Sequence, residues 1–203
     1  MKGTLINSSK PWERLSIDFV GPMCPSNGFK YLLTVVDEYS RYPFAFPCKE
    51  ISTAVVINCL LELFSLFGCP NSIHSDRGLQ FESTEFRTFL LQNGIIKTRS
   101  TPYHPQGNGQ CERINGNLCK TISFCLRSNN LGKDQWIRAL PQALASMRSL
   151  LCTATSTTPH DRMFLFPRNS KFGTRLPSFF IKNVQLFYTA TIFIIKEIQL
   201  SIG

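Results

Sequence analysis

The sequence lacks an excess of acidic residues, a long apolar run and any pair of cysteines at CxxC spacing. It has 22 Lys and Arg residues against 13 Asp and Glu, a formal net charge of +9, which predicts a polyanionic partner, either nucleic acid or an acidic membrane surface. Its longest uncharged apolar-rich run, residues 184–195, has 12 residues, whereas a membrane-spanning helix needs about 18 or more. The expected partner is therefore nucleic acid and not a membrane.

The sequence also shows no pattern typical of a secretory signal or of a zinc site. The first ten residues carry no apolar stretch, which favours a reducing compartment. The eight cysteines are therefore interpreted as buried free thiols. His74, His104 and His160 have no cysteine or histidine partner at finger-like spacing, which argues against zinc.

Length and composition predict one folded domain. The chain has 203 residues, 43% of them hydrophobic, enough for one well-buried core. Residues 15–168 carry regular patterns and are assigned to this core, and residues 1–14 to an N-terminal arm. In residues 169–203 the Phe, Ile and Thr residues follow no clear period, so this segment is assigned to a separate tail.

The first half of the core predicts an antiparallel meander. Residues 15–20, 31–36 and 42–47 are apolar segments separated by short turns, as in consecutive hairpins. Residues 54–67 are apolar nearly all round, which predicts a largely buried helix. A strand over 71–75 follows at once, and a helical crossover of this kind usually produces parallel pairing.

The second half predicts alternating helices and one more strand. A helix over 84–93 precedes a strand over 95–98 and a Pro- and Gly-rich loop over 101–109. From there, apolar residues at three- and four-residue intervals through Cys125 predict a long helix that packs on the sheet. A further helix over 134–152 contains Pro141, which is expected to kink it.

Three acids lie at different points of this framework. Asp18 is in the middle of a strand, Asp76 at a strand's end and Glu112 in the first turns of the long helix. Carboxylates brought together in this way can hold two divalent ions for in-line phosphoryl transfer, and magnesium suits all-oxygen ligands. The alternative is structural, with the mid-strand Asp paired to a nearby Arg.

Two neighbouring acids compete for the same role. Asp37 and Glu38 lie in a predicted turn beside Arg41. Asp is a common turn residue, and the adjacent Arg offers an ion pair. We therefore expect Asp37 and Glu38 to serve as turn and ion-pair residues.

Basic residues flank the candidate acids. Arg113, Lys120 and Arg127 repeat every seven residues and form a row along one side of the long helix. Such a row indicates either phosphate contacts or an ordinary solvated helix face. Lys97 and Arg99 add positive charge from a second direction, which favours a phosphate-binding groove.

Four stretches agree in local sequence, order and spacing with one known family. They are Trp12 through Pro22 (WERLSIDFVGP), Tyr31 through Arg41 (YLLTVVDEYSR), Ser75 through Phe81 (SDRGLQF) and Thr101 through Asn115 (TPYHPQGNGQCERIN). These stretches resemble the integrase core of gypsy-type long-terminal-repeat retrotransposons, which is similar to retroviral integrases and more distantly to ribonuclease H. The 35 residues between Asp76 and Glu112 match the spacing of that family's acidic triad.

The resemblance implies a fold and a site. The fold is α/β and ribonuclease H-like, a mixed five-stranded sheet of three antiparallel strands and then parallel strands, flanked by helices. Asp18, Asp76 and Glu112 become the catalytic residues and the ligands of two Mg²⁺ ions, with Mn²⁺ as a substitute, and residues 101–110 become a mobile loop that positions DNA ends. The residues expected to contact DNA are Lys97, Arg99, His104, Gln106, Asn108, Arg113 and Lys120.

The implied reactions are trimming of a retroelement DNA 3′ end and attack by that 3′ hydroxyl on a target phosphodiester. Neither step needs a nucleophile from the protein. The expected partners are the element's DNA ends, target DNA and further copies of the chain, acting in the nucleus after synthesis in the cytoplasm. Two other functions fit: a decayed or co-opted copy that binds DNA without integrating it, and a ribonuclease H-type nuclease.

The sequence departs from the family in three places. No His/Cys module precedes Trp12, whereas such integrases carry a zinc-binding module before the core. Leu165 stands where a Gly is usual after the Thr158–Phe164 segment, and the tail beyond Arg168 does not match the family's C-terminal DNA-binding region. These departures predict a polyprotein fragment, a decayed copy or a co-opted gene.

Overall fold

The computed structural model describes residues 8–99, 108–153, 155–164, 166 and 168. Within them, helices pack on both faces of one five-stranded sheet, and no helix has the length and apolar character to cross a membrane. The tail over 169–203 lies outside the described residues. The strands are β1 (Arg14–Val20), β2 (Tyr31–Asp37), β3 (Pro43–Cys48), β4 (Ser72–Ser75) and β5 (Ile96–Arg99), and the helices are α1 (Thr53–Phe67), α2 (Leu79–Glu82), α3 (Thr84–Gln92), α4 (Asn108–Ser128), α5 (Trp136–Ser149) and α6 (Pro159–Met163).

The sheet has the strand order β3-β2-β1-β4-β5. β1, β2 and β3 form the expected antiparallel meander, and β4 and β5 add in parallel on the other side of β1. The predicted mixed sheet is therefore confirmed. β1 ends before Gly21, which has a φ of 131° and where a Cβ would stand 2.8 Å from the carbonyl oxygen of Lys30, so a side chain is excluded at this turn.

The sheet separates two apolar clusters. The first lies under α1 and α3 and includes Ile17 and Phe81. The second lies under α4 and α5 and includes Leu118, Ile122 and Trp136. The apolar residues along one side of α4 and of α5 are therefore core contacts, and α4 packs firmly against the sheet.

Helix α1 buries one face, and the expectation of a largely buried helix is wrong. The helix is capped by Ser52 and stops at Gly68, which has a φ of 75°. Leu61 is 48% exposed and Leu66 69% exposed, because the sheet and α3 cover only one side of the helix. The buried residues are Val56, Leu60, Leu63 and Phe64.

Three details of the helices differ from the sequence prediction. The helix expected over 134–152 is divided into a 3₁₀ turn over Lys133–Gln135 and α5, which contains Pro141 and ends at Ser149. The short helices α2 and α6 are not predicted by the sequence patterns. They have 4 and 5 residues, too few for a helical period to appear in the sequence.

All eight cysteines are free thiols, which confirms the prediction that none forms a disulfide. The expected burial is confirmed only in part. Cys48, Cys111 and Cys125 are buried, whereas Cys24 and Cys69 are exposed. Burial raises the pKa of Cys111 to about 12, with the nearby charge of Asp18 adding to the shift, so this thiol is expected to be inert.

Glu82 connects α2 to β5 and α3. Its carboxylate pairs with Lys97 at 2.7 Å and with Arg87 at 2.6 Å, and hydrogen bonds from these two side chains lower the pKa of Glu82 from 4.5 to about 2. Because the folded carboxyl has the lower pKa, its stabilisation is present above the unfolded value and is lost as the pH falls from 4.5 towards 2.

We expect Glu82→Gln to lower the free energy of unfolding by about 1 kcal/mol near neutral pH, since the pair is partly exposed. Below the unfolded pKa the difference from the wild type should shrink steadily. Urea titrations at several pH values measure both effects, and Glu85→Gln, which alters an exposed acid of α3, is the matched control. A difference that stays constant across this pH range would contradict the ion-pair explanation.

Candidate active site

Asp18 lies in β1 on the face covered by α4. Side chains alternate along a strand, and Leu15 and Ile17 belong to the cluster on the opposite face. Asp18 Oδ1 accepts a hydrogen bond from the backbone N–H of Phe19 at 2.8 Å, and Oδ2 accepts one from Asn115 Nδ2 at 2.9 Å. Both carboxylate oxygens are therefore oriented by neighbouring donors.

Asp76 directly follows β4 and is adjacent to Asp18 in the sheet. In the parallel pairing of β1 with β4, Ile17 is opposite Ser75, so the next position along each strand places Asp18 beside Asp76. Asp76 Oδ1 accepts the backbone N–H of Gly78 at 2.9 Å. This hydrogen bond fixes the carboxylate at the start of the turn that leaves the sheet.

Glu112 approaches the same place from α4. It is exposed and lies three residues before Asn115, so the two side chains share one face of the helix. Burial, then the charge of Asp76, and to a smaller extent that of Glu112, raise the pKa of Asp18 from 3.8 to about 6, against the opposing hydrogen bonds from Phe19 and Asn115. Asp76 and Glu112 therefore both lie within electrostatic range of Asp18.

The donor set suits a divalent cation in chemistry and charge. Carboxylate oxygens are the ligands that magnesium and manganese prefer. In the part of the chain that the structure describes, Asp18 forms no ion pair with Lys or Arg, so the structural alternative of an Asp–Arg pair is not found. Among the same residues, however, no three His, Cys, Asp or Glu side chains are arranged to hold an ion. The acids do not form a closed ligand set.

Asn115 is the site residue that the sequence did not identify. It is 7% exposed, its Nδ2 holds Asp18, and its Oδ1 finds no hydrogen-bond partner in the part of the chain that the structure describes. The available signal was its spacing of three residues from Glu112, which places both on one helix face. Asn115 therefore connects α4 to the acid in β1.

Replacing Asn115 by Ala is expected to raise the pKa of Asp18 further, because the lost hydrogen bond stabilises the charged carboxylate. Any activity that depends on Asp18 should fall by about 10–100-fold. A ¹³C NMR titration of the Asp carboxyls measures the pKa, and Asn117→Ala, at an exposed position of α4, is the control. An Asp18 pKa that is the same in both variants would contradict the assigned role.

The competing acids Asp37 and Glu38 have structural partners. Asp37 is fully buried and accepts hydrogen bonds from the backbone N–H and Oγ of Ser40 at 2.7 and 2.5 Å, which confirms a turn role. Glu38 forms an ion pair, but its partner is Arg14, with Nε 3.0 Å from the carboxylate, and not the neighbouring Arg41. The reason is the strand pairing, which brings the Glu38 N–H to the Arg14 carbonyl.

The described basic residues that were predicted to contact DNA lie in two places. Lys97 is engaged by Glu82 Oε1 at 2.7 Å. Arg113 and Lys120 are exposed and share one side of α4, where Arg113 Nε donates to the Gly109 carbonyl at 2.8 Å. The two exposed residues are therefore free of acidic partners among the described residues.

The side chains of the other four predicted DNA-contacting residues lie outside what the structure describes. Arg99 ends β5 and Asn108 begins α4, but their side chains lie outside what the structure describes. His104 and Gln106 belong to residues 100–107, which are outside the described residues altogether. Their DNA contacts stay predictions.

Comparison with known proteins finds similar sequences and similar structures. Residues 8–105 match the integrase core domain family. The Pro-Pol polyprotein of simian foamy virus type 3 is 33% identical over 165 residues, covering 81% of this chain and 14% of the polyprotein. The transposon Tf2-3 polyprotein of Schizosaccharomyces pombe is 30% identical over 156 residues, covering 76% of this chain and 12% of the polyprotein. The chain thus spans a small part of the length of these relatives.

Solved structures show the same fold. A simian T-cell lymphotropic virus intasome in complex with PP2A regulatory subunit B56 gamma matches with a TM-score of 0.68 at 23% identity, covering 90% of this chain and 64% of that chain. The HTLV-2 integrase catalytic core domain in complex with magnesium, in a trimeric form, matches with a TM-score of 0.62 at 23% identity, covering 77% and 99%. These likenesses confirm the ribonuclease H-like fold, and residues 8–105 of this chain are similar to the integrase core domain family.

Proposed function

We propose that the chain is the catalytic core of a retroelement integrase and that Asp18, Asp76 and Glu112 catalyse DNA strand joining. The observation that carries the proposal is the parallel pairing of β1 with β4, which places Asp18 beside Asp76; the charges of Asp76 and Glu112 add to burial in raising the pKa of Asp18. Clustered, mutually repelling acids of this kind are typical of functional sites. The family match over residues 8–105 supports the same function.

The three acids would hold two Mg²⁺ ions, or Mn²⁺, which supply charge stabilisation and an activated oxygen for in-line phosphoryl transfer. The HTLV-2 integrase core was solved in complex with magnesium, which supports this cofactor. The residues of the chain orient the acids: Asn115 fixes Asp18 Oδ2, and the Gly78 N–H fixes Asp76 Oδ1. The two substrates contribute the attacking hydroxyl and the phosphodiester, so the protein itself provides only position and charge.

The proposed reactions are trimming of the element's DNA 3′ ends and joining of those ends to target DNA in the nucleus. The four sequence stretches that resemble gypsy-type integrases support an origin in such an element. Multimer formation is supported by the intasome and by the dimeric and trimeric forms in which the HTLV-2 core was solved. A multimer would allow two DNA ends to be joined to one target.

A branched DNA that represents the joined product offers the most direct test of the chemistry. The reverse reaction on this substrate needs the acids but demands less of specific end binding. We expect Mg²⁺ or Mn²⁺ to support resolution of the branch and EDTA to prevent it. A chain that binds the branched DNA and leaves it intact over a range of metal concentrations would contradict the catalytic proposal.

A second candidate is a decayed or co-opted copy that binds DNA without catalysis. Two observations favour it: the described acids do not form a closed three-ligand set, and Glu112 is exposed. DNA binding that is unaffected by Mg²⁺, together with no reaction of the branched substrate, would favour it. Cleavage of an RNA:DNA hybrid without any joining would instead favour a ribonuclease H-type nuclease.

A further inference from the structure

Two arginines come together where α6 packs on the turn between β2 and β3. Arg41 lies in that turn with a φ of 66°, a left-handed conformation that is strained for a residue with a Cβ. Arg162 lies in α6, and its guanidinium is 4.0 Å from the centre of the Tyr39 ring. Ser40 Oγ and Met163 Sδ are 3.6 Å apart, so the turn and α6 are in direct contact. The two arginines therefore have fixed positions.

Each of these arginines has a buried nitrogen that finds no hydrogen-bond partner among the described residues, Nη1 in Arg41 and Nε in Arg162. Among the described residues, neither arginine forms an ion pair. The acid of the same turn, Glu38, is already engaged by Arg14 Nε at 3.0 Å and Ser16 Oγ at 2.5 Å. Buried donors are rarely left unsatisfied in proteins, so these two nitrogens are available to a ligand that accepts hydrogen bonds.

The charged groups around Arg41 also favour an anionic ligand. Burial lowers the pKa of Arg41, and Arg162 and Arg113 lower it further, against the opposing influence of Cys152 and Glu38. Arg113 directly follows the candidate catalytic Glu112 in α4. The charges of Arg162 in α6 and of Arg113 in the first turns of α4 therefore both act on Arg41.

We propose that Arg41 and Arg162 form a phosphate-binding site and that its occupant is a backbone phosphate of DNA. A guanidinium group presents planar, paired N–H donors that match the oxygens of a phosphate. The contact with Tyr39 holds the Arg162 plane in place, and Arg113, whose charge acts on Arg41, directly follows the candidate catalytic Glu112. The DNA source rests on the proposed function, whereas the phosphate chemistry follows from the arginines alone.

The test compares Arg41→Gln and Arg162→Gln with Arg138→Gln, which removes the same charge from α5, outside the proposed phosphate site. Fluorescence anisotropy with a short duplex gives the dissociation constant at several salt concentrations. Loss of one phosphate contact should weaken binding by about tenfold and reduce the slope of log K against log salt by about one. Arg138→Gln should stay within about twofold of the wild type. Arg41→Lys, which keeps the charge without the planar donors, should give an intermediate loss.

Inorganic phosphate distinguishes a site for DNA phosphate from a site for free phosphate only. It should raise the melting temperature of the wild type but not that of Arg41→Gln, and circular dichroism verifies that each variant is folded. If both Gln variants bind the duplex as Arg138→Gln does, the proposal is overturned, and a remaining effect of inorganic phosphate would show a site for free phosphate only. If the Gln variants lose duplex affinity while the wild type does not process branched DNA, this site stands and the catalytic proposal fails.

Discussion

Replacing Asp76 by Asn is expected to reduce DNA joining by at least about a thousandfold. The amide oxygen of Asn can still accept the Gly78 N–H, which lies 2.9 Å from Asp76 Oδ1, so the turn after β4 should be retained. The substitution removes one of the charges that a divalent cation requires. Burial is the main cause of the raised pKa of Asp18 and would remain, but the substitution removes the added repulsion from Asp76, so that pKa should fall. Activity should therefore be lost while the fold is kept.

The loss of activity is measured as the initial rate of the branched-DNA reaction with Mg²⁺. Asp134→Asn, in the exposed 3₁₀ turn before α5, is the matched control and should retain the wild-type rate. DNA affinity, measured separately without metal, should not fall in either variant, because a carboxylate repels the phosphate backbone when no cation is bound. If Asp76→Asn retained the rate of the wild type, the acids would be structural.

Replacing Trp136 by Ala is expected to lower the free energy of unfolding by about 3–5 kcal/mol. The indole is 1% exposed, lies in the cluster with Leu118 and Ile122, and donates from Nε1 to the Cys24 carbonyl at 2.7 Å. Truncation leaves both a cavity and an unsatisfied carbonyl. Because α4 packs on α5 through this cluster, the position of Glu112 should be disturbed as well.

Trp136→Phe is the informative control for this substitution. It keeps an aromatic ring in the cluster and loses the hydrogen bond to Cys24, so its cost should be about 1–3 kcal/mol. Urea unfolding followed by circular dichroism at constant pH measures both variants. A cost below about 1 kcal/mol for Trp136→Ala would show that α5 does not depend on this residue.

Much of the sheet can be predicted from the sequence because its signals are local. The three strands of the meander are apolar segments bounded by turn residues, and the crossover through α1 favours the parallel addition of β4. The burial of α1 cannot be obtained in this way. Leu61 and Leu66 are as apolar as Leu60 and Leu63, and only the position of the sheet determines which of them are exposed.

The candidate site can likewise be predicted only in part from the sequence. Asp18, Asp76 and Glu112 can be proposed from their placement and, more strongly, from the spacing and flanking residues that carry the family resemblance, all of which are properties of the linear sequence. The hydrogen bond from Asn115 to Asp18 depends on how α4 crosses β1, and no local pattern reports it. The proximity of Arg41 and Arg162 likewise arises only when α6 packs on the turn between β2 and β3, because the two residues are distant in sequence.

The position of a bound metal ion tests the central claim most directly. Crystals of the chain grown with DNA and Mn²⁺ would show the ion through its anomalous scattering. We expect a peak about 2.2 Å from carboxylate oxygens of both Asp18 and Asp76, and its loss in Asp76→Asn. Active, Mn²⁺-saturated protein whose crystals show no peak at Asp18 would contradict the assignment of these acids as the metal-binding catalytic residues.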